Sequence, residues 1–357
     1  MSDRSCRKRR HVLSAGPFLR DRIRPEVLIL KKEPIKKRKR DVDMNKVKKN
    51  KNTGEGVGQR LKRDIRQNKY VYLMAVPVIL FYICFCYLPM GGLLIAFQDY
   101  SPTKGIWGSE WVGFENFIDF FNDYQFPRLL RNTLTLSLEL ILFGFPAPIL
   151  LALLINELRG KRYRKVVQTF SYLPHFISLV VICGLISNFT ASTGVINQVL
   201  SFFGFEPKTF LMDPKLFHPL FVISDIWQSV GWGSIVYLSA ISGIDPGLYE
   251  AASIDGAGRF RRIWHITLPA LIPTITVLFI MRIGNIMNLG YEKIILLYNP
   301  TIMETADIIS TFTYRRGLLD ADYGFSTAVG MFNSLVNFVI LFVANKLSRK
   351  LTGESLW

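Results

Sequence analysis

Six stretches of this chain are apolar over about twenty residues each, the length a helix needs to cross the roughly 30 Å hydrocarbon core of a bilayer. They run approximately over residues 70–97, 132–155, 166–189, 216–239, 268–289 and 326–347. Half of the 357 residues are hydrophobic and 13% are aromatic, which is too apolar for a soluble chain of this length. Pro77, Pro89, Pro146, Pro148 and Pro174 fall inside these stretches. They would break a soluble helix, but a membrane bundle can satisfy the carbonyls they free. The expected fold is an all-α membrane protein with six transmembrane helices.

The formal charge of +17 is placed unevenly. Residues 1–69 hold 24 of the 44 Lys and Arg against eight Asp and Glu, and the rest is close to neutral. Residues 1–69 therefore read as a basic, largely disordered cytoplasmic arm, with 70–347 the transmembrane domain and 348–357 a short cytoplasmic tail. The run Lys36-Lys37-Arg38-Lys39-Arg40 suits a surface of anionic lipid and calls for no nucleic acid. The arm stays polar too long for a secretory signal. The loop after the second span carries Arg159, Lys161, Arg162, Arg164 and Lys165; the loop after the fourth carries Arg259, Arg261 and Arg262; the tail carries Lys346, Arg349 and Lys350. All lie on the side of the basic arm, which predicts that both termini face the cytoplasm. The opposite loops, roughly 98–131, 190–215 and 290–325, are longer and poorer in cations. Trp107, Trp111, Phe114, Phe117, Phe120, Phe121 and Tyr124 recur there near helical spacing and predict a helix lying in the membrane interface.

Chemistry-bearing motifs are few. Of four cysteines, Cys84, Cys86 and Cys183 sit inside apolar runs as small hydrophobes, and no metal pair is formed. No phosphate-binding loop occurs; Gly160-Lys161-Arg162 fails the pattern. Nor is there a zinc-binding helix or a nucleophile elbow. The chain is expected to be no enzyme and to bind no cofactor itself.

The loop at 242–267 is the most specific segment. Asp245 and Pro246 suit a helix start, and Gly256 suits the left-handed residue that ends one. A second short helix, from about Ala257, places Phe260, Ile263 and Trp264 on an apolar face, and Leu268-Pro269 then opens the fifth span. Two short helices joined at a glycine make a compact knob for docking into another protein. The run Glu250-Ala251-Ala252, then Asp255-Gly256-Ala257, then Ile266-Thr267-Leu268-Pro269 resembles the coupling-loop signature of binding-protein-dependent transporter permeases, the membrane subunits of ATP-binding-cassette importers. Further stretches resemble the sugar and oligosaccharide branch: Trp111 to Phe117 with Arg131-Asn132-Thr133-Leu134, Asp225 to Trp232, and Tyr298-Asn299-Pro300 with Glu304-Thr305-Ala306-Asp307.

The resemblance covers roughly residues 70–350 and implies a type I importer permease core in a bacterial cell membrane. It implies partners: ATPase subunits that bind ATP and Mg²⁺, a second and related permease, an extracytoplasmic solute-binding protein, and the bilayer. It implies that Glu250, Ala251, Ala252, Asp255, Gly256, Ala257, Phe260, Leu268 and Pro269 form the ATPase-coupling site. The alternative class, a six-span channel or receptor, explains the spans but not the loop. Polar residues inside spans are expensive and mark candidate solute contacts. These are Asp225, Trp227 and Gln228 in the fourth span; Arg282, Asn285 and Asn288, at three-residue steps, in the fifth; and Asn333 and Asn337 in the sixth. Arg282 is also placed to pair with Asp225, and Glu139 is a weaker candidate.

Overall fold

The computed structural model describes residues 57–353, 355 and 356. Most of the basic arm, including the Lys36–Arg40 run, lies outside the described residues, as do two positions of the tail. The chain divides at Val78 into two units. In the first, α1 (Val57–Gln67) ends at Asn68, and Asp64 accepts hydrogen bonds from the Asn68 amide at 2.8 Å and the Tyr72 hydroxyl at 2.6 Å. From there α2 (Lys69–Phe97) begins.

The second unit, 79–357, is helical almost throughout. A two-residue antiparallel pair, β1 (Gln98–Asp99) with β2 (Glu110–Trp111), closes a surface loop. Then come α3 (Glu115–Asn122), α4 (Phe126–Asn156), α5 (Lys161–Tyr172), α6 (Leu179–Thr190), α7 (Val195–Phe202) and α8 (Pro214–Ser242). They are followed by α9 (Pro246–Ile254), α10 (Arg259–Ile283), α11 (Tyr291–Leu297), α12 (Met303–Ala306), α13 (Ile309–Tyr314) and α14 (Tyr323–Thr352). Among the described residues, five segments are long and apolar enough to cross a membrane: α2, α4, α6 with α7, α10 and α14. The sixth long helix, α8, is 29 residues, about 43 Å at 1.5 Å per residue. It is less apolar because Asp225, Gln228 and several Ser and Gly interrupt it.

Three expected features differ. The stretch 166–189 is not one helix. It breaks between α5 and α6, where Leu173–Phe176 tighten at Pro174 and Ile177 and Ser178 turn extended. The fifth span starts nine residues early: α10 runs from Arg259 through a widened π turn at Ile263–Thr267, directly before Pro269, and on into the membrane segment. A π turn absorbs the register that a ring without an N–H disturbs. The same helix ends at Ile283, where Gly284 caps it through an N–H bond to the Ile280 carbonyl, so 285–287 are turn and 288–289 irregular. Finally, the aromatic loop does not make one interfacial helix. Trp107 and Trp111 precede α3, and Phe120 on α3 is fully buried against Phe126, Phe325 and Phe332.

Packing centres on α8 and α14. α8 lies along the second half of α4 and against α5, so closely that a Cβ on Gly231 would sit 1.9 Å from the Ser171 carbonyl oxygen. α14 packs on residues 88–97, α3 and α10. One buried cluster joins Leu136, Ile182, Phe217, Ile294 and Ile308, which sets α11 and the start of α13 into the same core as the long helices.

Candidate functional site: a knob and a polar cavity

The knob is locally determined. Asp245 caps α9 by accepting from the Gly247 N–H at 2.9 Å. At the other end Gly256 is left-handed (φ 71°), its N–H bonds to the Ser253 carbonyl, and the Ala257 N–H reaches the Ala252 carbonyl at 2.8 Å. That 6→1 and 5→2 pair is a Schellman closure, and it needs the glycine. Two side-chain bonds tie the knob down: Tyr249 hydroxyl to Thr267 hydroxyl at 2.9 Å and Arg262 to the Ser253 hydroxyl at 3.0 Å. The knob is therefore stiff, yet its apolar side chains have no cover. Ile254 is 87% exposed and Phe260 89%, with Leu248 and Trp264 also exposed. Glu250, Ala251, Asp255, Gly256 and Pro269 are exposed beside them; Ala252, Ala257 and Leu268 are half-buried.

The candidate solute residues divide. Asp225, Gln228, Arg282 and Asn288 line one cavity of about 180 Å³ with Phe221, Glu292 and Lys293. Asp225 and Gln228 share a face of α8 at i, i+3. Trp227 is turned about 200° from Asp225 and does not line the cavity, because two steps along a helix lead to the opposite side. Asn285 is exposed in the turn after α10 and donates to the Met281 carbonyl at 3.1 Å, so the expected Arg282, Asn285, Asn288 face does not exist. Asn337 is buried and accepts from the Met287 N–H at 3.0 Å, which fixes that turn against α14. Asn333 lines a different cavity.

The residue missed by sequence reasoning is Lys293. It is 4% exposed, its ammonium lies 3.8 Å from Asp225 and 4.9 Å over the Phe221 ring, and it has no hydrogen bond among the described residues. It takes the partner expected for Arg282, which forms no ion pair among the described residues. Burial pushes the Lys293 ammonium below the ordinary lysine value, and Asp225 works only partly against this. A lysine followed by the run Ile294-Ile295-Leu296-Leu297 was the available signal. The cavity thus offers a carboxylate, two amides, a guanidinium and a second carboxylate around a buried ammonium, a set suited to hydroxyl and carboxyl groups of a polar solute.

At the far end of α8 from the knob, residues 299–315 form a locked cap. Asp307 is fully buried and receives a bidentate pair from Arg315 at 2.8 and 2.6 Å, a bond from Thr311 at 2.7 Å and Arg128 at 3.8 Å. Burial works to lower the Arg315 value, but Asp307 and Tyr298 together outweigh it and hold the guanidinium above its ordinary range. Asn132 donates to the carbonyls of Glu304 and Asp307, and His218 bridges Glu139 to the Thr305 carbonyl. Glu139 is thereby a structural partner of the cap.

The family model for the binding-protein-dependent transport system inner membrane component matches residues 144–353. Protein LplB of Bacillus subtilis (strain 168) is 47% identical over 294 residues, covering 82% of this chain and 92% of that protein. The polygalacturonan/rhamnogalacturonan transport system permease protein YteP of the same organism is 46% identical over 301 residues, covering 84% and 94%. A chain of the bacterial alginate ABC transporter, crystallised in complex with an alginate pentasaccharide-bound periplasmic protein, superposes with a TM-score of 0.77 at 48% identity, covering 83% of this chain and all of that one. With the family model spanning more than half of the sequence, and relatives near half identical along almost their entire length, this chain belongs to the binding-protein-dependent transport system inner membrane components.

Proposed function

We propose that the chain forms half of the translocation path for an oligosaccharide and is driven by separate ATPase subunits gripping the knob at 242–267. The observation that carries this is the pairing of a stiff, unburied apolar knob with a polar cavity, joined by the single helix α10. An exposed Phe260 and Ile254 on a rigid loop are costly in water and are covered when a partner cleft receives them. ATP and Mg²⁺ belong to those ATPases. A second, related permease completes the path, and an extracytoplasmic binding protein delivers the solute. The basic loops support an orientation with both termini in the cytoplasm. The saccharide class is supported by relatives named for polygalacturonan, rhamnogalacturonan and alginate, and by cavity groups that match hydroxyls and carboxylates. The solute path comprises Asp225, Gln228, Arg282, Asn288 and Lys293. Closure of the ATPases draws the coupling knobs together and turns the cavity outward; hydrolysis reverses it.

The test is Gly256→Pro in the full assembly, reconstituted in liposomes with ATPases and binding protein. Proline cannot adopt the left-handed conformation there. Uptake of an oligogalacturonide should fall to background while the protein remains inserted and the ATPases separate from it on purification. Normal uptake by this variant would remove the knob from energy coupling.

A further inference from the structure

A second cavity, of about 410 Å³, lies on the other side of the first turn of α11. It has the size of a small-molecule site. Gly290, Glu292 and Lys293 face the charged cavity, whereas Tyr291 between them faces this one. Two further stripes complete the wall. On α13 and its continuation they are Ser310, Thr313, Tyr314, Gly317 and Leu318, at i, i+3, i+4, i+7 and i+8. On α14 they are Tyr323, Ser326, Thr327 and Asn333, at i, i+3, i+4 and i+10. Polar residues sharing one face of a membrane helix mark a site or a pathway.

The wall carries no charge. Its three tyrosines are half-buried and held in place, Tyr291 against Tyr314 at 5.7 Å and Tyr323 against Tyr100 at 6.0 Å. Their hydroxyls have no hydrogen-bond partner among the described residues. Thr313 and Thr327 donate to backbone carbonyls within their own helices, which leaves the oxygen lone pairs to accept. Asn333 is 7% exposed, and its side-chain carbonyl has no partner among the described residues. An unsatisfied amide that deep is expensive unless a ligand or water completes it.

We propose that this cavity is a second saccharide subsite, which takes one neutral face of a sugar ring between tyrosine rings and reads its hydroxyls through Ser310, Thr313, Thr327 and Asn333. It rests on the saccharide reading of the charged cavity and adds to it. The charged cavity holds the ionic groups of the solute, and this one holds ring faces. Lying on opposite sides of the α11 start, the two subsites engage neighbouring parts of one oligosaccharide.

The experiment places a photoreactive residue in the assembled importer, Leu318→p-benzoylphenylalanine at the exposed rim, and separately Gln228→p-benzoylphenylalanine in the charged cavity. Radiolabelled tetragalacturonate and alginate tetrasaccharide are the probes, delivered by the binding protein. We expect saccharide adducts from both positions, and a loss of about fivefold or more in the Leu318 adduct when Tyr314→Ala or Tyr323→Ala is added. Adducts from the Gln228 position alone would overturn the second subsite and leave the saccharide path standing. Adducts from neither would overturn both. A Leu318 adduct to the second permease, in place of saccharide, would make the cavity a subunit seat and overturn the proposal.

Discussion

At one end of α8, Pro214 and His218 are bonded to Thr305 of the cap, and beneath them Asp307 collects two arginines, a threonine and the reach of Asn132. At the other end, Ser242 leads into a knob held by two side-chain bonds, one of them at the surface, with Ile254 and Phe260 almost fully exposed. The cap spends its polar groups on itself and is finished within one chain. The knob is equally well defined in backbone, through its Asp245 cap and Gly256 closure, but it leaves its apolar surface over. One end is closed within the chain, the other leaves apolar surface uncovered.

That contrast breaks most easily at the cap. Asp307→Asn keeps the shape but leaves Arg315 and Arg128 without their counter-charge, at about 3–5 kcal/mol for a buried pair broken on one side. A clear fall in the unfolding temperature of the purified assembly is expected; an unchanged midpoint would mean that the ion pairs do not hold the cap. Gly256→Ala is next. A side chain in the left-handed conformation costs about 1–2 kcal/mol, and no atom lies within 4 Å of the added Cβ, so the strain is local. The unfolding temperature should move less than for Asp307→Asn while coupled uptake drops severalfold. The reverse order of effects would place the knob in the folding core. The smallest effect is Tyr249→Phe, which removes one hydrogen bond worth about 0.5–1.5 kcal/mol. It should show as faster amide exchange confined to 246–257, with a knob no longer stiff if exchange rises throughout α10.

Local chemistry made the knob readable in advance. Asp245, Pro246 and Gly256 act on neighbours within four residues, so the elements they start and stop can be placed from sequence. Helix bounds in the membrane segments were less accessible, because hydropathy does not register where a chain stops being helical. The break after Pro174 and the cap at Gly284 both lie inside apolar runs. Asp225 and Gln228 were found together because three residues bring side chains to one face, and Trp227 was misplaced because two residues do not. Arg282 and Asn288 reached the cavity by different means, the first from the end of α10 and the second from the turn beyond it. Lys293 depended on α11 folding back into the core beside α6 and α8, a long-range event of which the apolar run after the lysine is only a faint sign. The cap was visible only as a polar string; its pairing across more than 170 residues, Asn132 with Asp307, had no signature.

The absence of a break between the knob's second half and the membrane segment has a mechanical meaning. From Arg259 to Ile283 is 25 residues of helix, roughly 38 Å, with Phe260 at one tip and Arg282 at the other. If the proposed partner displaces the Phe260 tip, the motion reaches the guanidinium through continuous helix, with one soft point at the widened turn of Ile263–Thr267. A lever whose soft point sits beside the hand converts short strokes into rotation of its distant end, so on the proposed coupling the arginine that lines the charged cavity is geared to whatever grips the phenylalanine.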